Sequence, residues 1–174
     1  FNVFPALTTL DVTSARALQP LLWPEIIGRR TLTRIRLAQS DWKGLHAPLW
    51  KALEADRKWA GRLEELTLPV ILDLPQWQQL VTWCPHLTKL DIVDPRDFQD
   101  NPSPTVPFSA GDVFALLAKH LPKLVRFSWM LSNRSKMHEG MLETNKPHVT
   151  ALAPLTFMRH LQLGIGLHLK HAKE

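Results

Sequence analysis

Leu87-Thr88-Lys89-Leu90-Asp91-Ile92 is the stretch that decides how this chain folds. Its apolar residues come as Leu87, two spacers, Leu90, one spacer, Ile92. The alternation Lys89-Leu90-Asp91-Ile92 is that of a strand with one buried face, because successive side chains on a strand point to opposite sides. Just upstream, Trp77, Leu80, Val81 and Cys84 fall at i, i+3, i+4 and i+7, one face of a helix that Asp73 can cap. The segment therefore predicts a helix, a turn and a strand in that order.

The same triplet recurs along the chain as Leu7/Leu10/Val12, Leu32/Ile35/Leu37, Leu63/Leu66/Leu68, Leu87/Leu90/Ile92, Leu124/Phe127/Trp129 and Met158/Leu161/Leu163. Successive starts are separated by 25, 31, 24, 37 and 34 residues, so three units need longer helices or inserted loops. Between triplets the apolar period turns helical. Ser109 with Asp112 resembles a capping box, opening a helix with Val113, Phe114, Leu116, Leu117 and Leu121 inward. Leu45, Leu49 and Leu53 mark another helix, with Pro48 acceptable in its first turn. Ala15 to Ile27 is a shorter, proline-broken version.

Strands that alternate with helices must run parallel, since each helix returns the chain to the same end. Each unit can bury its apolar side only against its neighbours. The expectation is an α/β fold: one domain over 1–174, a right-handed solenoid of about six repeats, with parallel strands on the concave face and helices outside. Two segments interrupt it, 94–108 with Pro95, Pro102, Pro104 and Pro107, and the polar 132–149. Both are expected to be loops leaving adjacent strands on one rim.

The lead-ins Phe4-Pro5-Ala6-Leu7, Cys84-Pro85-His86-Leu87 and Leu121-Pro122-Lys123-Leu124 share a form: a helix end, a proline, one residue, then the first leucine. With these and the six triplets, the chain resembles leucine-rich-repeat proteins over nearly all of its length. Its irregular repeats are most similar to those of F-box-type proteins, the substrate receptors of cullin-based ubiquitin ligases. The resemblance implies a non-catalytic protein–protein interaction module, and more narrowly the substrate-recognition part of such a receptor. It places a protein ligand on the concave face or the loop rim. It also implies a Skp-type adaptor bound through a segment ahead of residue 1, because no F-box lies in these residues and the chain opens at Phe1, as a piece of a longer protein would. The family's asparagine or cysteine, eight residues after the first leucine, is replaced by Ala15, Ser40, Ile71, Pro95, Ser132 and Gly166. The turn after each strand is thus expected to lack its usual side-chain hydrogen bonds.

If the triplets are strands, their spacers form two rows across the sheet. One row is Thr9, Arg34, Glu65, Lys89, Arg126 and His160; the other is Asp11, Arg36, Thr67, Asp91, Ser128 and Gln162. Row-mates on neighbouring strands lie about 5 Å apart. Arg34, Glu65 and Lys89 would alternate in charge, and Asp11 would sit beside Arg36. Exposed pairs of this kind contribute about 0–1 kcal/mol each, so the ladder reads first as self-neutralising. Toward the C-terminus, Arg126, Arg159 and His160 lack acidic row-mates and lie beside Trp129 and Met130. That end is expected to be a basic patch for an acidic partner segment. The protein-binding set is therefore Arg34, Arg36, Glu65, Lys89, Asp91, Arg126, Ser128, Arg159, His160 and Gln162.

Other classes are disfavoured by the residues themselves. No apolar run approaches the roughly 20 residues of a membrane span, and no basic-then-apolar leader opens the chain. Cys84 is the single cysteine, which fits a reducing compartment, cytoplasm or nucleus. With no basic neighbour in sequence it reads as a small buried hydrophobe. The eight histidines contain no His-Glu-x-x-His; His168 and His171 read as a solvated tail, and His138 and His148 as loop residues. Gly164-Ile165-Gly166 lacks the third glycine of a dinucleotide turn, no phosphate loop or Gly-x-Ser-x-Gly elbow occurs, and Glu64/Glu65 are merely adjacent. No catalytic constellation, metal or cofactor is expected. The net charge of +5 and pI near 9.7 make a nucleic-acid-associated basic scaffold the alternative. It ranks second because the basic residues are scattered, and Trp50, Trp77 and Trp83 sit at helix-face spacing as packing groups rather than base platforms.

Overall fold

All six triplets supply strands. The computed structural model describes residues 6–12, 30–37, 46–70, 72–93, 109–131 and 150–165. In chain order these hold β1 (Thr9–Val12), β2 (Arg34–Leu37), α1 (His46–Ala55), α2 (Arg57–Ala60), β3 (Glu65–Leu68), α3 (Leu74–Trp83), β4 (Lys89–Val93), α4 (Ala110–His120), β5 (Arg126–Leu131) and β6 (His160–Ile165). The strands form one sheet in the order β1-β2-β3-β4-β5-β6, and every pair is parallel. The fold is α/β, with each strand laid beside the one before it.

One backbone device joins every strand to the next. The carbonyl of the residue before a strand accepts two N–H groups from the following unit. Thr8 takes Thr33 and Arg34, Thr33 takes Glu64 and Glu65, Glu64 takes Thr88 and Lys89, Thr88 takes Val125 and Arg126, and Val125 takes Arg159 and His160, all at 2.8–3.3 Å. A carbonyl has two lone pairs, so one oxygen satisfies both donors. The junctions are alike although the intervals run from 24 to 37 residues. Extra length is thus absorbed between strands and leaves their docking unchanged.

A second device precedes the first leucine. Leu63, Leu87, Leu124 and Met158 each donate their N–H to the carbonyl three residues back, on Ala60, Cys84, Leu121 and Leu155. All four acceptor residues are buried. The lead-in is a tight turn whose second position suits the fixed φ of Pro85 and Pro122.

The helices begin where their caps predict. Asp73 accepts from the Gln76 N–H at 2.7 Å while the Gln76 side chain accepts from the Asp73 N–H at 3.0 Å. Ser109 and Asp112 exchange the same pair of bonds at 3.2 and 2.8 Å. Asp56 caps the short α2 by accepting from the Trp59 N–H at 3.0 Å. Pro48 lies in the first turn of α1, above the buried Leu49 and Leu53.

The core lies between these helices and the apolar side of the sheet. Trp77, Leu80, Val81 and Cys84 are fully buried, as are Val113, Phe114, Leu117 and Leu121; Leu116 is only half-buried. Aromatic rings tie α3 and α4 to β5, with Trp77 on Trp129 at 5.4 Å and Phe114 on Phe127 at 6.3 Å, both edge-on. The Trp59 indole N–H donates to the Leu32 carbonyl at 2.9 Å, fastening α2 to the lead-in of β2. The four inner triplets are buried throughout. In the outer two, Leu7, Leu10, Met158 and Leu163 are half-buried and Leu161 is 39% exposed.

The expected helix at Ala15 to Ile27, the loops 94–108 and 132–149, Leu45, and the post-strand positions Ala15, Ser40, Ile71, Pro95, Ser132 and Gly166 lie outside the described residues. Val93 and Met130 are register partners, so the chain leaves the sheet at the same end after β4 and after β5. No helix among the described residues is long and apolar enough to cross a membrane.

Candidate functional site: the charged face of the sheet

The face of the sheet opposite the core carries both spacer rows in the expected order. Thr9, Arg34, Glu65, Lys89, Arg126 and His160 are successive register partners, and so are Asp11, Arg36, Thr67, Asp91, Ser128 and Gln162. The triplet fixes which residue faces out on each strand, and the shared carbonyl junction fixes the register. Continuous rows across six strands follow from those two facts.

The shortest cross-strand charge contacts run diagonally between the rows rather than side by side within them. Arg36 sets Nη2 at 2.7 Å and Nε at 3.3 Å from one Glu65 oxygen, and reaches Asp11 at 3.7 Å. Glu65 belongs to the other row, two residues before the register partner of Arg36. Arg34 stands on its other side at 3.5 Å and also meets Glu64 at 3.6 Å. Asp91 is a second hub: it takes Lys89 Nζ at 3.3 Å, Arg126 Nε at 3.3 Å and the Thr67 hydroxyl at 3.4 Å. Lys89 and Arg126 are direct register partners of like charge, an unfavourable placement that the carboxylate between them offsets.

The face is two-tiered. The side chains of Arg34, Arg36 and Arg126 are 48%, 39% and 44% exposed, those of Glu65 and Asp91 only 18% and 11%. Glu65 and Asp91 lie low against the strands with guanidinium groups over them, whereas Asp11 and Glu64, 43% and 50% exposed, stand as high as the arginines they meet. Burial pushes the Glu65 carboxyl up, but the Arg36 hydrogen bond and charge, with Arg34 and Lys89, outweigh it and hold the group below its ordinary value. The same hydrogen bond, with the Glu65 charge, raises the Arg36 guanidinium.

These contacts correct the sequence reading in four places. Asp91 and Ser128 are 8% and 4% exposed and are not offered to a partner, because short side chains sink below the long ones around them. The expected alternation holds between Arg34 and Glu65 at 3.5 Å but stops there, because Lys89 turns to Asp91 on its own strand. Arg126 has an acidic partner, since a guanidinium reaches diagonally to Asp91 in the other row. Trp129 points to the core and packs on Trp77, away from the basic patch. Arg159, His160 and Gln162 are exposed at the β6 side, with Arg159 just ahead of the strand and outside both rows.

The helix side holds a second polar–aromatic cluster that the sequence did not suggest. Trp50 and Trp83 pack at 5.3 Å, Arg57 lies 4.2 Å over the Trp83 ring, and Trp50 donates to Gln79 at 3.1 Å. The only signal for it in sequence is tryptophan on both α1 and α3. Cys84 is buried beneath, its thiol pushed up to about 12 by burial, which leaves little thiolate at neutral pH. Among the described residues no group of three or more His, Cys, Asp or Glu could hold a metal ion.

No family model matches the chain, and no curated protein matches it either.

Proposed function

We propose that the chain is a leucine-rich-repeat solenoid, curved with its helices outside, and that it is a non-catalytic module binding protein on its charged sheet face. The observation that carries this reading is the pair of unbroken rows across six register-aligned strands. A surface of spacers repeated at one height is what a stacked array offers to an extended macromolecule. Its polar side chains are held by one another rather than by the core. They can change without loss of the fold, as a recognition surface requires. The F-box-type resemblance gives the reading a specific form, substrate recognition for a ubiquitin ligase working inside the cell. A nucleic-acid scaffold fits less well, because the exposed carboxylates of Asp11 and Glu64 are interleaved with the row arginines and would face a ligand charged at every step.

Affinity capture with the full-length protein tests the reading. A partner lost from Arg36→Glu and retained by Lys119→Glu, on the exposed side of α4, supports face-dependent binding. A Skp-type adaptor and cullin among the captured proteins supports the ligase form. Capture unaffected by Arg36→Glu would remove the face from the account. Nuclease-sensitive capture would favour the nucleic-acid alternative.

A further inference from the structure

Resting on that reading, we infer that the occupant of the charged face is an acidic protein segment in extended form, with carboxylates four residues apart that engage Arg34 and Arg126. The first support is the two-tier arrangement. Over Glu65 and Asp91 an approaching partner meets the guanidinium groups of Arg34, Arg36 and Arg126 first, while Asp11 and Glu64 are as exposed as the arginines they meet. The second is donor supply. Arg126 donates Nε to Asp91, and no hydrogen bond among the described residues engages its Nη atoms. Those two nitrogens form a fork that matches a carboxylate bidentately. Among the described residues Arg34 makes ion-pair contacts of 3.5 and 3.6 Å, too long to be good hydrogen bonds, and these leave its donors open to a carboxylate. Arg36 differs, being held on Glu65 at 2.7 Å.

The third support is spacing. Arg34 and Arg126 share a row and stand on β2 and β5, three strand steps apart. At about 4.8 Å per step that is roughly 14 Å, the length of about four residues of extended chain. The residue midway would face Glu65 and Lys89, a pair with no net charge. A segment with acids at i and i+4 and a neutral residue between them therefore matches the face in sign and in distance. A nucleic acid carries a phosphate at every step and would set some of them against the exposed carboxylates of Glu64 and Asp11. A peptide can place its charges only where they are wanted. Asp91 acts as a positioning residue, holding the Nε side of Arg126 so that the fork is presented in one orientation.

The test uses short Gly/Ser/Thr peptides carrying two glutamates at i and i+4, their glutamine counterparts, and a single-stranded oligonucleotide, titrated against the full chain. The glutamate peptide should bind about tenfold or more tighter than its glutamine counterpart, and Arg126→Gln should erase most of that difference. Arg34→Gln should do likewise and, lacking a short bond to lose, guards against misfolding of the first variant. Lys119→Gln, the same charge change on α4, should leave binding intact. Equal binding of the two peptides, indifference to both arginine variants, or tighter binding of the oligonucleotide would overturn the inference. A peptide-display selection separates its failure from that of the broader reading. Selected ligands without acidic residues that are blocked by Thr67→Trp would sink the acidic occupant and leave a protein-binding face. A selection yielding no ligand sensitive to Thr67→Trp would sink both.

Discussion

On the core side of β5, Phe127 and Trp129 are sealed under Trp77 and Phe114; on the other side, Arg126 stands half in solvent with its Nε on Asp91. The same six residues of strand serve both. The first side is held by buried area and close packing, which are non-directional and large in sum. The second is held by ion pairs that contribute little individually at exposed sites. The division leaves one face free to vary, because altering it removes little of what keeps the strands together.

The largest expected effects lie on the packed side. Trp77→Ala should cost about 3–5 kcal/mol in denaturant unfolding, whereas Trp77→Phe should cost far less, since the indole N–H has no hydrogen-bond partner to lose. Leu90→Ala should cost about 2–5 kcal/mol and Leu161→Ala well under 1, because the first is fully buried and the second 39% exposed. Equal costs at the two leucines would break the distinction between inner and outer units.

On the charged side the expected effects are smaller. Asp91→Ala is the most damaging change there, about 1–3 kcal/mol, because it leaves Lys89 opposite Arg126 with nothing between them. Arg126→Ala should cost about 1 kcal/mol or less. If the arginine proved as costly as the aspartate, Asp91 would not be the hub.

Glu65 sharpens the contrast through pH. Its folded-state value is depressed, so its stabilisation is present above the unfolded value of about 4.3 and is lost as pH falls through the folded one. Unfolding followed from pH 6 down to pH 3 should show the wild type more stable than Glu65→Gln at the upper end. The gap should be about 1 kcal/mol or less and should narrow as pH falls below the unfolded value of about 4.3. A gap that did not narrow at all between pH 6 and pH 3 would mean the side chain acts by packing rather than by charge.

The packed side was also the more legible in sequence. Period and spacing gave the strands, their parallel sense, the caps at Asp73 and Ser109, and the buried faces of α3 and α4, because burial acts on every residue of a face at once. Register followed too, since each triplet starts its strand at the same point. What escaped were contacts decided by reach. Arg36 bonds Glu65 and Arg126 bonds Asp91 across rows because a guanidinium extends past its direct partner, which row order cannot show. Asp91 and Ser128 sank for the converse reason, and α2, four residues long, is too short to display a helical period. The Trp59 bond to the Leu32 carbonyl joins residues 27 apart with no pattern between them.

The alignment of the rows is open to direct measurement by disulfide trapping in a Cys84→Ala background. Arg36 and Thr67 are register partners, and neighbouring strands hold such Cα atoms about 5 Å apart, within the range a disulfide spans. Arg34 lies two residues further along and about 8 Å from Thr67, too far to bridge. The pair Arg36→Cys/Thr67→Cys should oxidise readily in the folded chain, and Arg34→Cys/Thr67→Cys should stay reduced. The opposite result would shift β2 against β3, break both rows, and contradict the account at its base.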